Sequence, residues 1–561
     1  MRFISRRSLY QLHRWLGLHL GLLLFVICFS GTFAVLSNEV DWLANEDLRL
    51  PGSSTEATQW QAMKDSLDRR FPEATQLGLY KETYTGNGSY YATSAYVRVP
   101  NGQTLKVYLT PHTGAIQGST SFFNSQRFFR SFHRRFFDGG RGIVIVTLCS
   151  LPFLLSILSG FLFYKKWLQT IFKLRWRASI RMRWADLHRL AGFWSLLFAL
   201  LVGLSSIFYL TELILQQTGQ GAALQEPAPA KIPAERLSQY PETLKFKPLS
   251  TYVDSARAAC SDLEVKTIRL PQKPGEFVYL DGQAGNPLTR DRANYVLLDP
   301  LDASVVHVQR SEDLGLLPLI SDLVDPLHFG YFGGLISKGI WFLFGLVVSL
   351  SVLSGTYLWV LKTLGAKNKK RKARSTSRGL GIAIAFTIAY LGWTAWATVQ
   401  GIQSYAAGPV PSSQVVAQHP SLPLHFVLSH QSTSGKLAKE YHIREQRGAG
   451  MVNLQSVVLE SPRRKDTFQR AGRDWRLPID DPIQNQEADG QSLLLTGYDG
   501  AQKTWRIPPG AIREAHAALS GSPQRIAQDP NPGWPRMAPD IWWYIGFFIL
   551  AAVAMILLWA R

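Results

Sequence analysis

Six apolar stretches constrain this chain more than any other feature. They lie near Trp15–Leu36, Ile143–Tyr164, Leu190–Leu210, Ile340–Leu361, Gly379–Val399 and Ile541–Ala560. Each reaches the roughly 20 apolar residues that a helix needs to cross a bilayer. In lipid every backbone N–H and C=O must be satisfied within the segment, which commits such stretches to helices. Only 18% of the residues are charged, against about 25% in soluble domains.

The formal charge of +20 invites a nucleic-acid reading, but its placement argues otherwise. Residues 1–14, 165–186, 362–378 and the terminal Arg561 hold twenty Lys and Arg against the single acid Asp186, and the rest of the chain is balanced. Short basic loops stay in the cytoplasm. Both termini are therefore expected inside and the three long connections outside, and no nucleic-acid partner is expected. The N-terminal apolar run is too long for a signal peptide and reads as a retained span. Cys28, Cys149 and Cys260 suggest no disulfide framework.

The spans also repeat. His13-Arg14-Trp15-Leu16-Gly17 aligns with His188-Arg189-Leu190-Ala191-Gly192 at an offset of 175, at which Ser30 also meets Ser205 and Phe33 meets Phe208. At an offset of 195, His133 meets His328, Phe137 meets Phe332, Gly139 meets Gly334, and Leu158-Ser159-Gly160 meets Leu353-Ser354-Gly355. Both copies run the same way through the membrane, unlike the inverted repeats of many transporters. The expected core is a duplicated helix–domain–helix unit of four spans, with two further C-terminal spans.

In order, the chain reads as a span within 1–37, an outer domain with an interfacial helix over 38–141, a span at 142–164 and a cytoplasmic loop at 165–186. A span at 187–210, an outer domain at 211–338 and a span at 339–361 follow, then a basic loop at 362–378, a span at 379–399, a third outer domain at 400–540 and a span at 541–560. The first two outer segments read as α+β. Helices are expected over Thr58–Phe71 and Leu249–Cys260, and strands over Tyr90–Val99, Thr104–Leu109, Val265–Leu270, Glu276–Leu280 and Ala293–Leu298. Turns are expected at Asn87-Gly88, Asn101-Gly102 and Thr113-Gly114. In the third segment Leu493–Tyr498 and Thr504–Ile507 suggest a hairpin, within a docking or lid module or a plain β-rich domain.

The repeat preserves four histidines at two depths. His13 and His188 stand at the cytoplasmic ends of spans one and three, and His133 and His328 precede spans two and four. Ionisable groups in a membrane bundle are costly and are functional candidates. Two imidazoles facing one another are the axial set of a b-type haem, so the pairs are candidate ligands of two haems, one near each surface. Gly17 and Gly192 fall four residues after their histidines, where a missing side chain leaves room for a macrocycle. Arg14, Arg189, Arg134, Arg135 and Arg141 are candidates to pair with propionates. Interfacial polar residues are the plainer reading of any single His–Arg pair. Copper or zinc would want carboxylate or thiolate company. Because His133 precedes the apolar run by ten residues, the outer site is expected to lie high, near the outer domains. His19 reads as a packed or quinone-facing residue, with a ligand role as its alternative, and the scattered outer histidines fit no metal motif.

The segments around His13–Leu18, Leu187–Gly192 and Leu327–Gly334 resemble the PepSY-associated transmembrane family, and those around Phe71–Ile116 and Val265–Val306 resemble PepSY domains. The resemblance covers about residues 5–365. It implies a four-helix core in which His13, His188, His133 and His328 hold two b-type haems. It also implies a bacterial inner membrane and electron transfer towards a periplasmic ferric siderophore or other ferric chelate, as in the family's iron-regulated inner-membrane proteins and ferric-siderophore reductases. Residues 366–561 depart from that pattern. No Gly-rich dinucleotide fingerprint follows a strand, so electrons are expected from a quinol or a soluble cytoplasmic reductant. A rival expectation, of another class, is a non-redox membrane-anchored PepSY protein that binds or regulates periplasmic peptidases.

Overall fold

The structure, a computed structural model, describes residues 5–50, 57–72, 74–81, 90–99, 104–122, 124–364, isolated positions between 385 and 396, and 413–433, 436–446, 450–460, 465–478 and 491–520. The spans expected at 379–399 and 541–560, the rest of the basic loop at 362–378, and the turns at Asn87-Gly88 and Asn101-Gly102 lie outside the described residues, apart from those isolated positions.

The other four expected spans are helical. The first divides into α1 (Arg6–His19) and α2 (Gly21–Val35), bent by 70° at Leu20. A short α3 (Ser37–Ala44) follows, and α4 (Trp60–Arg70) opens the first domain. The second span is α6 (Gly139–Leu148) and α7 (Ser150–Phe163), preceded by α5 (Ser125–Arg135). After the short α8 (Trp167–Thr170), α9 (Ile180–Trp194) starts in the basic loop and carries the third span into α10 (Leu196–Gln217), interrupted at Ser195. Leu20 and Ser195 are the same position at the 175-residue offset, so the chain breaks its first and third spans at one place. At Ser195 the side chain bonds back to Ala191 O at 2.7 Å, a competing bond that commonly bends a helix. The short α11 (Ala234–Leu237), α12 (Leu249–Ala259) and α13 (Leu316–Phe329) lead to the fourth span, α14 (Gly334–Leu364). An ion pair, buried Lys338 Nζ to half-buried Glu39 Oε1 at 2.5 Å, ties α14 to α3.

Each half then contributes one four-stranded meander. The first is β1 (Thr75–Tyr80), β2 (Thr93–Arg98), β3 (Thr104–Leu109) and β4 (Ile116–Ser121). After a two-residue β5 (Thr243–Leu244), the second is β6 (Glu264–Arg269), β7 (Val278–Gln283), β8 (Tyr295–Leu298) and β9 (Val305–Gln309). The two join edge to edge, β1 antiparallel to β6 with Leu79 opposite Ile268, into one eight-stranded sheet. Side chains alternate across a strand. One face (Leu79, Val97, Val107, Val265, Leu280) is covered by Trp60, Met63 and Leu67 of α4 and Tyr252 and Val253 of α12. The other face is polar, with Ser94, Tyr96, Lys106, Thr267 and Asp281. It faces the helix bundle.

The third segment is a pair of sheets around an apolar core. One sheet holds β10 (Ser413–Gln418), β11 (Leu424–Thr433), β12 (Lys436–Glu445), β16 (Gln469–Ala471) and β17 (Asp474–Pro478). The other holds β14 (Leu454–Glu460), β15 (Lys465–Thr467), β18 (Ser492–Gly497) and β19 (Gln502–Arg506), with α15 (Ala511–Ser520) beyond. The expected hairpin is β18–β19, Leu493 opposite Trp505. This unit is fastened to the second domain. Its β13 (Met451–Val452) pairs with β5, and Asn453 Nδ2 donates to Leu237 O at 2.8 Å. Gly450 sits at φ +109°, and a Cβ there would lie 2.6 Å from Leu244 O. Gly450→Val should therefore loosen the junction and open a cleavage site near 450 in limited proteolysis; an unchanged digestion pattern would contradict the fastening.

Candidate functional site

The four repeated histidines form two pairs. His13 and His188 have ring centroids 6.1 Å apart, and His133 and His328 are 6.3 Å apart. The first pair lies towards the basic loops and the second beneath the sheet. Metal–imidazole bonds of about 2 Å on each side, plus the imidazole's own radius at each end, separate two ring centres by about 6 Å. Among the described residues no three or more His, Cys, Asp or Glu side chains gather as a metal cage would. Each pair offers two imidazoles, the donor set suited to a metal whose remaining positions a macrocycle fills.

The surroundings fix which nitrogen is free. His13 Nδ1–H donates to Ser156 O at 2.9 Å and His188 Nδ1–H to Ser351 O at 2.9 Å. His133 Nδ1–H donates to Ile27 O at 3.0 Å. His328 Nδ1 lies 2.8 Å from Ser205 Oγ, whose own proton goes to Val202 O. Carbonyls only accept, so Nδ1 carries the proton and the Nε2 lone pair is left for a ligand bond. This arrangement orients a metal-bound histidine. The repeat extends to these supports: Ser156 and Ser159 recur as Ser351 and Ser354, and Ser354 Oγ lies 3.1 Å from His188 Nδ1.

Glycines bear on the site in two ways, and the space expected beside Gly17 and Gly192 is open. No described atom lies within 4 Å of a Cβ built at Gly17, and the nearest to Gly192 is Ser351 Oγ at 3.8 Å. Other glycines, across the bundle, stand directly against the imidazoles. A Cβ on Gly160 would lie 3.0 Å from His13 Cε1, one on Gly355 2.9 Å from His188 Cε1, and one on Gly31 2.7 Å from His133 Cε1. Helix-local spacing finds neighbours on one helix, while these contacts join different helices.

The second pair also lies deeper than its place before the apolar run suggests. His133 abuts Ile27, Ser30 and Gly31 in the middle of α2. The reason is the turn after α5. Phe136 and Phe137 both take left-handed φ values, 48° and 58°, a conformation costing an L-residue about 1–2 kcal/mol. Burial of the Phe136 ring against Phe132 offsets that cost. The turn makes α5 pack beside α6 and α2 instead of extending the span upward. Gly139 and Gly334 start α6 and α14, both with positive φ.

The candidate propionate partners are placed unevenly. Arg134 and Arg135 line the cavity around His133 and His328. Among the described residues the buried Nε of Arg135 has no hydrogen-bond partner, and neither has that of Arg189 beside His188. One orphaned donor thus stands near each pair, which fits an anionic edge on a bound group. Arg14 is exposed, and Arg141 pairs with Asp138 at 2.9 Å. Arg189 also bonds Asp186 Oδ1 at 3.0 Å, and Arg175 clamps the same carboxylate at 2.8 and 2.9 Å. These bonds hold the Asp186 carboxyl at about 2, below its usual range, chiefly through Arg175. A depressed folded pKa gives stability that is complete above the unfolded value near 4 and lost as pH falls towards 2. Asp186→Asn should cost about 2 kcal/mol at pH 7 and flatten that acid limb. An unchanged acid-unfolding curve would contradict the clamp. His19 stacks on Trp15 at 4.8 Å and bonds its carbonyl.

His328 is further held by neighbours that single-sequence reading missed. Tyr209 lies 5.2 Å from its ring, edge-on, and donates to Asp325 Oδ1 at 2.5 Å. Arg290, from the second domain, bonds the same oxygen at 2.8 Å, and Arg292 bonds Asp322 at 2.7 Å. The domain above thereby grips the helix that carries His328. A cavity of 680 Å³ runs from His133 and His328 up to the polar face of the sheet, within the usual range for small-molecule sites.

The model of the PepSY-associated TM region matches residues 10–362, more than half of the chain. The chain belongs to this family. That range covers both histidine pairs, all eight strands of the shared sheet and four apolar helical spans, and it ends before the sandwich. An uncharacterized protein of Pseudomonas aeruginosa is 26% identical over 288 residues, which is 46% of this chain and 70% of that protein. This PepSY-associated protein is a membrane protein, and the lipid bilayer is its surroundings.

Proposed function

We propose that this PepSY-associated protein is a di-haem oxidoreductase of a bacterial inner membrane, passing electrons from the cytoplasmic side to ferric chelates in the periplasm. The observation that carries the reading is the two pairs of facing imidazoles, at 6.1 and 6.3 Å, each ring with Nδ1 engaged. A b-type haem bound at each pair would supply reversible one-electron exchange at its iron. His13 and His188 would hold one, His133 and His328 the other.

The chain's own residues do the positioning. Backbone carbonyls of Ile27, Ser156 and Ser351 and the Ser205 hydroxyl hold each imidazole in one tautomer. Gly31, Gly160 and Gly355 let the rings sit against neighbouring helices. Arg135 and Arg189 offer buried guanidinium donors to carboxylates. The cavity beneath the sheet leaves room for a chelate beside the second pair. Iron(II), with less charge than iron(III), attracts oxygen donors less, so one electron suffices to loosen a chelate, and no general acid or nucleophile is needed. The spans and domains read as two copies of one unit, with basic loops in the cytoplasm. A quinol or a cytoplasmic reductant is the electron source.

The test is direct. Chemically reduced, purified protein mixed with a ferric chelate should be reoxidised while iron(II) is trapped by a chromogenic chelator. Protein that stays reduced, with no iron(II) formed, would contradict the proposal. The non-redox alternative, a regulator of periplasmic peptidases, leaves both histidine pairs without a role.

A further inference from the structure

The cavity beneath the sheet is cationic. Among the described residues eight Lys and Arg side chains line it against four carboxyls. Two of the arginines, Arg290 and Arg292, are engaged by Asp325 and Asp322 of α13. Burial pushes the carboxyl of Asp281 in the roof up towards its neutral form, which leaves the chamber still more positive.

The repeat shows that this charge is a local departure. At the 195-residue offset, Asp322 and Asp325 of α13 correspond to Arg127 and Arg130 of α5. One copy carries two acids that neutralise the arginines of the domain above, and the other carries two arginines at the same positions. Both of these line the cavity. Arg127 lies over the Phe122 ring at 4.1 Å and Arg130 over Phe329 at 5.0 Å. Among the described residues no carboxylate pairs with Arg127, Arg134 or Arg135, and the charges of Arg134 and Arg127 bear on Arg135. Gathering like charges in a half-enclosed space costs energy unless an anion joins them.

We propose that this chamber selects chelates of net negative charge, of the carboxylate or catecholate class, over neutral hydroxamate complexes. The selection comes from the α5 arginines under the polar roof of Tyr80, Tyr96 and Lys106. It rests on the reading that a ferric chelate is the substrate, and it names the class of that chelate. Guanidinium groups match carboxylate and catecholate oxygens in geometry as well as in charge.

The test uses gallium(III), which takes no electron, so binding is read apart from redox activity. Haem-loaded full-length protein in phosphatidylcholine nanodiscs is titrated with the trianionic gallium tris-catecholate and the neutral gallium tris-hydroxamate. The trianion should bind at least about tenfold tighter, and the preference should shrink with added salt. The double variant R127D/R130D, which gives α5 the residues of α13, should lose the preference. R127Q, a milder change, should weaken trianion binding several-fold while the haem spectrum stays that of the parent. Equal or tighter binding of the neutral complex, or binding insensitive to salt and to R127Q, would overturn the proposal. Loss of trianion binding in phosphatidylglycerol nanodiscs would also overturn it, because the occupant would then be a lipid headgroup. Haem-bearing protein that binds no trianion defeats this inference alone and leaves the electron path untouched.

Discussion

Purified His328→Ala protein should carry one low-spin haem per chain where the parent should carry two, and it should no longer reduce ferric chelate. His328 has the most elaborate support of the four histidines. Ser205 fixes its Nδ1, Tyr209 packs against its ring, and Asp325 with Arg290 grips the helix below it. Alanine removes the Nε2 donor and leaves His133 facing a gap across the cavity. The pair under the sheet then cannot offer two imidazoles. The other pair shares neither helix nor hydrogen bond with it, because His13 and His188 lean on Ser156 and Ser351. Its haem should remain, with its spectrum intact. Haem content and pyridine haemochrome spectra read this directly, and two unchanged low-spin signals would contradict the assignment. Ser205→Ala should be milder, keeping both haems while shifting the potential of one.

Gly355→Val should do the reverse and remove the haem between His13 and His188. A Cβ at this position would already stand 2.9 Å from His188 Cε1, and valine adds two methyl groups beyond it. The ring cannot retreat, since its Nδ1–H is bound to Ser351 O one turn away on the same helix. Overpacking of this kind costs about 1–3 kcal/mol where the neighbour can give. Here the neighbour is the ligand itself. The variant should fold, keep the signal of the other site, and lose electron transfer from the cytoplasmic side. Gly160→Val should behave alike, since Gly160 faces His13 in the same way. Full haem content in both variants would show that the glycine contacts have no bearing on binding.

Much of this architecture is legible in the sequence because membranes impose long, uniform apolar runs. Four such runs appear as helices, and the repeat positions four histidines that the fold then brings together in pairs. The strands at Thr104–Leu109 and Tyr295–Leu298 follow alternation and turn residues. The strands β1, β4 and β9 escape this reading, since Thr75–Tyr80 and Ile116–Ser121 alternate weakly and are placed by their neighbours in the sheet. The joining of two domains into one sheet through Leu79 and Ile268 is a tertiary event that no local pattern announces. The same holds for the glycines. Gly17 is prominent by helical spacing, yet Gly160 and Gly355, distant in sequence, are the ones against His13 and His188. The depth of His133 depends on two phenylalanines in left-handed conformations, residues for which that geometry is unfavourable and which only tertiary packing sustains. Arg189 reads as a propionate partner from its place beside His188, and the structure adds Asp186, whose carboxylate it shares with Arg175.

The measurement closest to the central claim is a reduced-minus-oxidised visible spectrum of the detergent-purified protein, with haem counted per chain. The facing imidazoles call for two low-spin b haems, each with two histidine ligands. Protein that binds no haem, even when expressed with added haem precursor, would contradict the account and leave the four paired histidines as features of packing alone.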